Sequence, residues 1–157
     1  MNYFAISVVI VGFTMGVAQE RKPATASSLD GTWIVTSING EEAPAGSPEV
    51  TLTIKGDKYH QALGGEVNER GTIKVDASKK PMTIDLAISE GPDAGKTQLG
   101  IVEVTGDTMR MNLDTPGAGQ RPADFTAKGG FILIVGKKKA SHVASAFEER
   151  VTWRNGS

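Results

Sequence analysis

Residues 82–113 read MTIDLAISEGPDAGKTQLGIVEVTGDTMRMNL. Met82, Ile84, Leu86 and Ile88 alternate with Thr83, Asp85 and Ala87, and Met109, Met111 and Leu113 alternate with Thr108, Arg110 and Asn112. A period of two puts each apolar set on one face of an extended strand. Between the two runs, TQLGIVEV keeps Val and Ile at strand spacing, and Gly106-Asp107 supplies the positive φ of a tight antiparallel turn. The stretch predicts three consecutive antiparallel strands.

Its glycine-rich centre, EGPDAGKT at 90–97, ends like a phosphate-binding loop but fails the pattern G-x-x-x-x-G-K-[ST]. Gly91 precedes Gly95 by one residue too few, and Glu90 stands where the first Gly belongs, bringing a charge that repels phosphate. A strand pattern follows Lys96-Thr97 where a helix N-terminus is required. The segment reads as a long hairpin connection.

The same pattern continues in both directions. Val50, Leu52 and Ile54 alternate with Thr51 and Thr53, and apolar-polar runs with turn signals between them cover Thr32–Ile38, Glu49–Lys55, Asp57–Leu63, Glu66–Val75, Met82–Ile88, Thr97–Val104, Asp107–Leu113 and Phe131–Val135. Gly56-Asp57 and Gly64-Gly65 are further hairpin turns. No stretch before residue 140 carries a 3.6-residue period, which disfavours βαβ units. The expected fold is all-β, an antiparallel up-and-down barrel of about eight strands.

A chain of 157 residues suits a single domain with a core of ordinary size. Lys and Arg total 17 against 18 Asp and Glu, so no basic footprint for nucleic acid exists. The first residues, MNYFAISVVIVGFTMGVAQ, carry an apolar run too short to span a bilayer comfortably and small residues at Gly16 and Ala18, the pattern of a secretory signal peptide. The expected organisation is a signal peptide over 1–18, a flexible polar leader over 19–28, the barrel over 29–139 and a tail over 140–157. Val143, Phe147 and Val151 fall at helical spacing in that tail, which reads either as a short amphipathic helix or as an unordered end. The mature chain is expected to be secreted or periplasmic, with no transmembrane segment. With no Cys there is neither a disulfide framework nor a thiol nucleophile.

No catalytic motif emerges. There is no G-x-S-x-G elbow, and His60 and His142 lie far apart without carboxylates at zinc-ligand spacing, so no metal and no cofactor are expected. Asp85 and Glu103 fall on neighbouring predicted strands, but eighteen acids in a barrel produce such a pair by chance.

Four motifs in order, LDGTW at 29–33, PMTIDL at 81–86, GIVEVTGDTMRM at 100–111 and RPADF at 121–125, resemble a lipocalin-like domain family that is abundant in planctomycete bacteria and has no established activity. The resemblance spans about residues 29–135, with Val102 where that family has Tyr and Asn112 where it has Cys. Gly31-Thr32-Trp33 is also similar to the opening signature of lipocalins, which implies that Trp33 plugs one barrel end beneath a late arginine, here Arg110 or Arg121. Phe125 is read with them as an anchor of the barrel end. The apolar faces offer Leu52, Ile54, Ile84, Leu86, Met109 and Met111 either as the lining of a lumen open to a small apolar ligand or as the filling of a closed core. Two non-enzymatic readings follow: a carrier of a small apolar molecule, and a structural or protein-docking module using the run Lys137-Lys138-Lys139 and the tail.

Overall fold

The structure is a computed structural model, and it describes residues 26–140. A 3-10 turn, Ala26–Leu29, leads into strands β1 (Gly31–Ile38), β2 (Glu41–Glu42), β3 (Val50–Lys55), β4 (Lys58–Leu63), β5 (Glu66–Asp76), β6 (Met82–Glu90), β7 (Thr97–Thr105), β8 (Thr108–Leu113) and β9 (Ile132–Lys138). Neighbours from β3 to β9 pair antiparallel in chain order, and β1 pairs with both β3 and β9. That last pairing closes the sheet into an eight-stranded barrel, with the two-residue β2 as an extra strand on the end of β1. Among the described residues there is no α-helix, as the absence of a 3.6-residue period implied. The signal peptide and the tail helix expected from the sequence fall on residues outside the described range, apart from Ala140. Ala26–Ser28, the end of the segment read as a leader, are part of the 3-10 turn.

The alternation seen in the sequence sets the interior. Leu52 and Ile54 face Gln61 and Tyr59 across β3 and β4, Ile84 and Leu86 face Gly100 and Gln98, and Met109 and Met111 face Val104 and Val102. Register partners share a face of the sheet, so one apolar set lies inside. Leu52, Ile54, Tyr59, Ile84, Leu86, Val102, Met109 and Met111 join Leu29, Trp33, Ile73, Met82 and Leu113 in a single buried cluster.

The antiparallel register also defines two different ends. One, the base, gathers the start of β1, the turns at Gly56-Asp57 and Gly106-Asp107, and Lys138. There Leu29 and Trp33 are both fully buried, and the Trp33 indole N–H donates to the Leu29 carbonyl at 2.7 Å. The 3-10 turn thus folds under the barrel and seals it. The other end, the mouth, carries the β1–β2 hairpin, the Gly64-Gly65 turn, the 91–96 loop and the long 114–131 connection.

The 91–96 loop is the hairpin connection its sequence implied. Gly95 N–H and Ile88 N–H bond to the Ile88 and Lys96 carbonyls at 2.8 and 2.9 Å, and Lys96 is paired with Asp93 at 2.7 Å. The Ala94, Gly95 and Lys96 N–H groups and the Lys96 ammonium are therefore engaged by the loop and the strand beside it.

Candidate functional site

The six residues read as lumen lining, Leu52, Ile54, Ile84, Leu86, Met109 and Met111, all lie inside the barrel and are at most 6 % exposed. They pack in one cluster with Trp33, Tyr59 and Val102, so the lower barrel is filled by its own side chains. One cavity opens at the mouth. A cavity of about 350 Å³ is bounded by Val35, Ile38, Glu41, Glu42, Pro44 and Val50. It lies where β1 changes partner: the ladder with β3 ends at Ile34, the one with β2 covers Ser37 and Ile38, and Val35 and Thr36 fall between them. Ile38 and Leu63, both at this end, remain 42 % and 46 % exposed. Apolar walls beside this gap in the ladder and two carboxylates can hold an apolar body and satisfy a polar end.

The hairpin that builds this cavity went unread in the sequence, although its signal was present. Asn39 and Gly40 have φ values of 54° and 84°, both positive as a two-residue hairpin turn of this type requires. The Asn39 side-chain oxygen also accepts the Leu133 N–H at 2.9 Å, which ties the turn to β9. Glu41–Glu42 has no apolar alternation, so only the Asn-Gly dipeptide marked the strand.

The residues assigned to barrel closure separate. Trp33 is at the base, but the cation over its ring is Lys138, at 5.2 Å, rather than Arg110 or Arg121. The physical reason is register: Lys138 is the direct cross-strand partner of Trp33 and shares its face. Arg110 alternates with the buried Met109 and Met111 and so lies on the outer wall, paired with Glu103 at 2.9 Å and over the Phe125 ring at 4.6 Å. Arg121 also works on the outer wall. Its guanidinium donates to the Ile84 and Gly100 carbonyls at 3.2 and 2.6 Å and to Asp85 at 2.5 Å. Arg110, Arg121 and Phe125 therefore do not close a barrel end; they strap the 114–131 connection across β6, β7 and β8.

Other contacts complete this strap. Asn112, fully buried on the outer face, donates through Nδ2 to the Asp124 and Thr126 carbonyls at 2.7 and 3.0 Å. The buried Asp114 carboxylate accepts the Thr115 and Gln120 N–H groups at 2.8 and 2.6 Å. Asp85 and Glu103, the carboxylates on neighbouring strands, are each committed to an arginine here. The lysine run is divided as well: Lys137 and Lys138 belong to β9, and Lys139 pairs with Glu49 at 3.1 Å.

Tyr59 is the interior group whose titration is most displaced. Burial first, then the charge of Glu69 and the hydrogen bond it accepts from the phenol at 2.9 Å, push the Tyr59 hydroxyl well above its ordinary value. A phenol held protonated in the fold ionises first in the unfolded chain. Its contribution to stability is thus fully present below about pH 10, the unfolded value, and is lost as pH rises above it. The other tyrosine is Tyr3, so a chain starting at Gln19 reports Tyr59 alone. Its ultraviolet phenolate absorbance is expected to stay flat through about pH 10 and to rise only as the chain unfolds, with Tyr59→Phe losing stability less steeply in that range. A folded phenolate titrating near the ordinary value would contradict the assignment.

Among the described residues no cluster of His, Asp and Glu is placed to hold a metal ion, and no helix is long and apolar enough to cross a membrane. Fold and site together define a class, the closed antiparallel eight-stranded barrel of lipocalin-like architecture, plugged at its base and cavitied at its mouth. Beyond that class, no protein-family model, curated protein or solved structure matches the chain.

Proposed function

We propose that this chain is an exported, non-enzymatic lipocalin-like barrel that takes a small apolar or amphipathic molecule at its mouth. The observation that carries the reading is the 350 Å³ cavity between Val35, Ile38, Pro44 and Val50, within the size range of small-molecule sites and adjoining exposed apolar side chains. The site lies above the packed core, so the six interior residues support its floor and do not line it. Export rests on the N-terminal sequence pattern, and kinship with the planctomycete family on the four ordered motifs.

The filled lower barrel favours a second reading, a structural or protein-interaction module of the cell envelope whose core is purely architectural. Native mass spectrometry of the secreted chain, followed by denaturation and organic extraction, separates the two. The carrier reading expects a stoichiometric apolar molecule, with occupancy strongly reduced in Ile38→Glu, which puts a charge against the apolar wall while leaving the core untouched. An apo mass unchanged after soaking with lipid extract would sink the carrier reading in favour of the module.

A further inference from the structure

The outer wall of β3 to β6, remote from the mouth cavity in the lining residues, carries a second concavity of about 450 Å³. Two rows of register partners cross it. Thr53, His60, Arg70 and Glu90 face one another in turn across the four strands, and Lys55, Lys58 and Thr72 form the next row toward the base. All alternate with interior residues such as Ile54, Tyr59 and Ile73, so their side chains stand on the solvent face.

The charges in this concavity are unbalanced in one place. Arg70 is neutralised by Glu90 at 3.0 Å. Lys55 and Lys58 are direct cross-strand partners, and among the described residues neither makes an ion pair. Like charges directly opposite each other destabilise a sheet. Glu90, the acid that lines this concavity, is three strands from Lys55, roughly 14 Å at ordinary strand spacing, and already engaged. The Thr72 hydroxyl and the His60 ring N–H stand in the same two rows as further donors. Paired ammonium groups flanked by further donors, with Asp57 of the intervening turn outside the lining and the lining carboxylate Glu90 paired with Arg70, match the needs of a tetrahedral oxyanion.

We propose that this concavity is an oxyanion site, taking a phosphate or sulfate group, either free or carried on a lipid headgroup. The ammonium groups of Lys55 and Lys58 supply the charge, and Thr72 and His60 donate to the remaining oxygens. An anion bound between the lysines turns a repulsive pair into an attractive triad.

The test compares the chain with Lys55→Gln/Lys58→Gln, a change confined to two exposed side chains. Amide chemical shifts are followed as inorganic phosphate is added, against potassium chloride at matched ionic strength. Saturable shifts confined to this wall, with affinity weakened by about tenfold or more in the variant, are expected, the scale of losing one charge-assisted hydrogen bond. Phosphate should also raise the thermal midpoint of the parent and not of the variant. In potassium chloride the variant's midpoint should be no lower than the parent's, and a lower one overturns the like-charge argument. Shifts that chloride reproduces, or a variant that keeps full affinity, overturn the site. Sedimentation with phosphatidylglycerol–phosphatidylcholine vesicles distinguishes the sources. Co-sedimentation that inorganic phosphate competes away and the variant lacks assigns a headgroup, and saturable phosphate binding without co-sedimentation assigns a free oxyanion. Co-sedimentation that phosphate cannot compete overturns the proposal.

Discussion

Trp33→Ala is expected to lower the free energy of unfolding by about 3–5 kcal/mol, the range for removing a large buried aromatic side chain. The domain as a whole should have roughly 5–15 kcal/mol to lose. Trp33 is fully buried, belongs to the core cluster and bonds the Leu29 carbonyl at 2.7 Å. Truncation opens the base, strips the 3-10 turn of its hydrogen bond and removes the ring beneath Lys138. Urea unfolding followed by far-ultraviolet circular dichroism measures the loss as a fall in midpoint at constant slope. Trp33→Phe is the informative companion, since it keeps most of the apolar body but leaves a buried carbonyl unpaired, with an expected loss of about 1–3 kcal/mol. Equal losses in both variants would mean that the hydrogen bond, and not the filling of the base, holds the turn in place.

Gly71→Ala is expected to destabilise by about 2–3 kcal/mol, although it adds a single methyl group. A Cβ at Gly71 would overlap the Ala87 carbonyl oxygen and come within 2.7 Å of the Tyr59 ring. The first obstacle is backbone in the next strand, and the second is a buried ring held by Glu69. Neither has room to yield. Gly71 sits at the irregularity in register between β5 and β6, where the ladder shifts by one residue, so the absent side chain lets the two strands close over Tyr59. The check is the same urea titration. A loss below about 0.5 kcal/mol, the scatter expected of surface substitutions, would show that the β5–β6 contact relaxes freely.

Gly71 also shows where sequence reasoning stops. Its neighbours in the chain, Arg70 and Thr72, mark it only as a glycine within a strand pattern, whereas its necessity comes from Tyr59 and Ala87, which are distant in sequence. The barrel itself was readable because its determinant is local. A barrel strand needs only alternation over a few residues, as in MTIDLAISE, and several of the turns only a glycine at the right place. The β1–β2 hairpin was missed for the converse reason: Glu41–Glu42 offers no alternation, and only Asn39-Gly40 announced it. That short strand frames the candidate site, so the part of the mouth most relevant to binding was the part with the weakest pattern.

The arginines make the same point about pairing. Arg110 and Arg121 were equally good candidates for the ring of Trp33 as long as only their charge was known. Closure of β9 against β1 put Lys138 opposite Trp33, and the return of the 114–131 connection over the outer wall carried Arg121 to Asp85 and Phe125 to Arg110. A cation–π or ion-pair partner depends on which strands meet and in what register, and two strands a hundred residues apart in the chain share no local signal.

The sequence by itself determined the all-β class, the strand count of the barrel, the identity of its apolar face and the exclusion of a phosphate-binding loop at 90–97. Each of these follows from side chains a few residues apart, through a period of two and the steric demands of turns. Only the tertiary structure decided that the apolar face fills the lower barrel, that a cavity opens at the mouth, and that Lys55 and Lys58 confront each other on the outer wall. Those outcomes depend on volume and register summed around a closed sheet, and a quantity that closes only when the first strand meets the last is not written in any one segment.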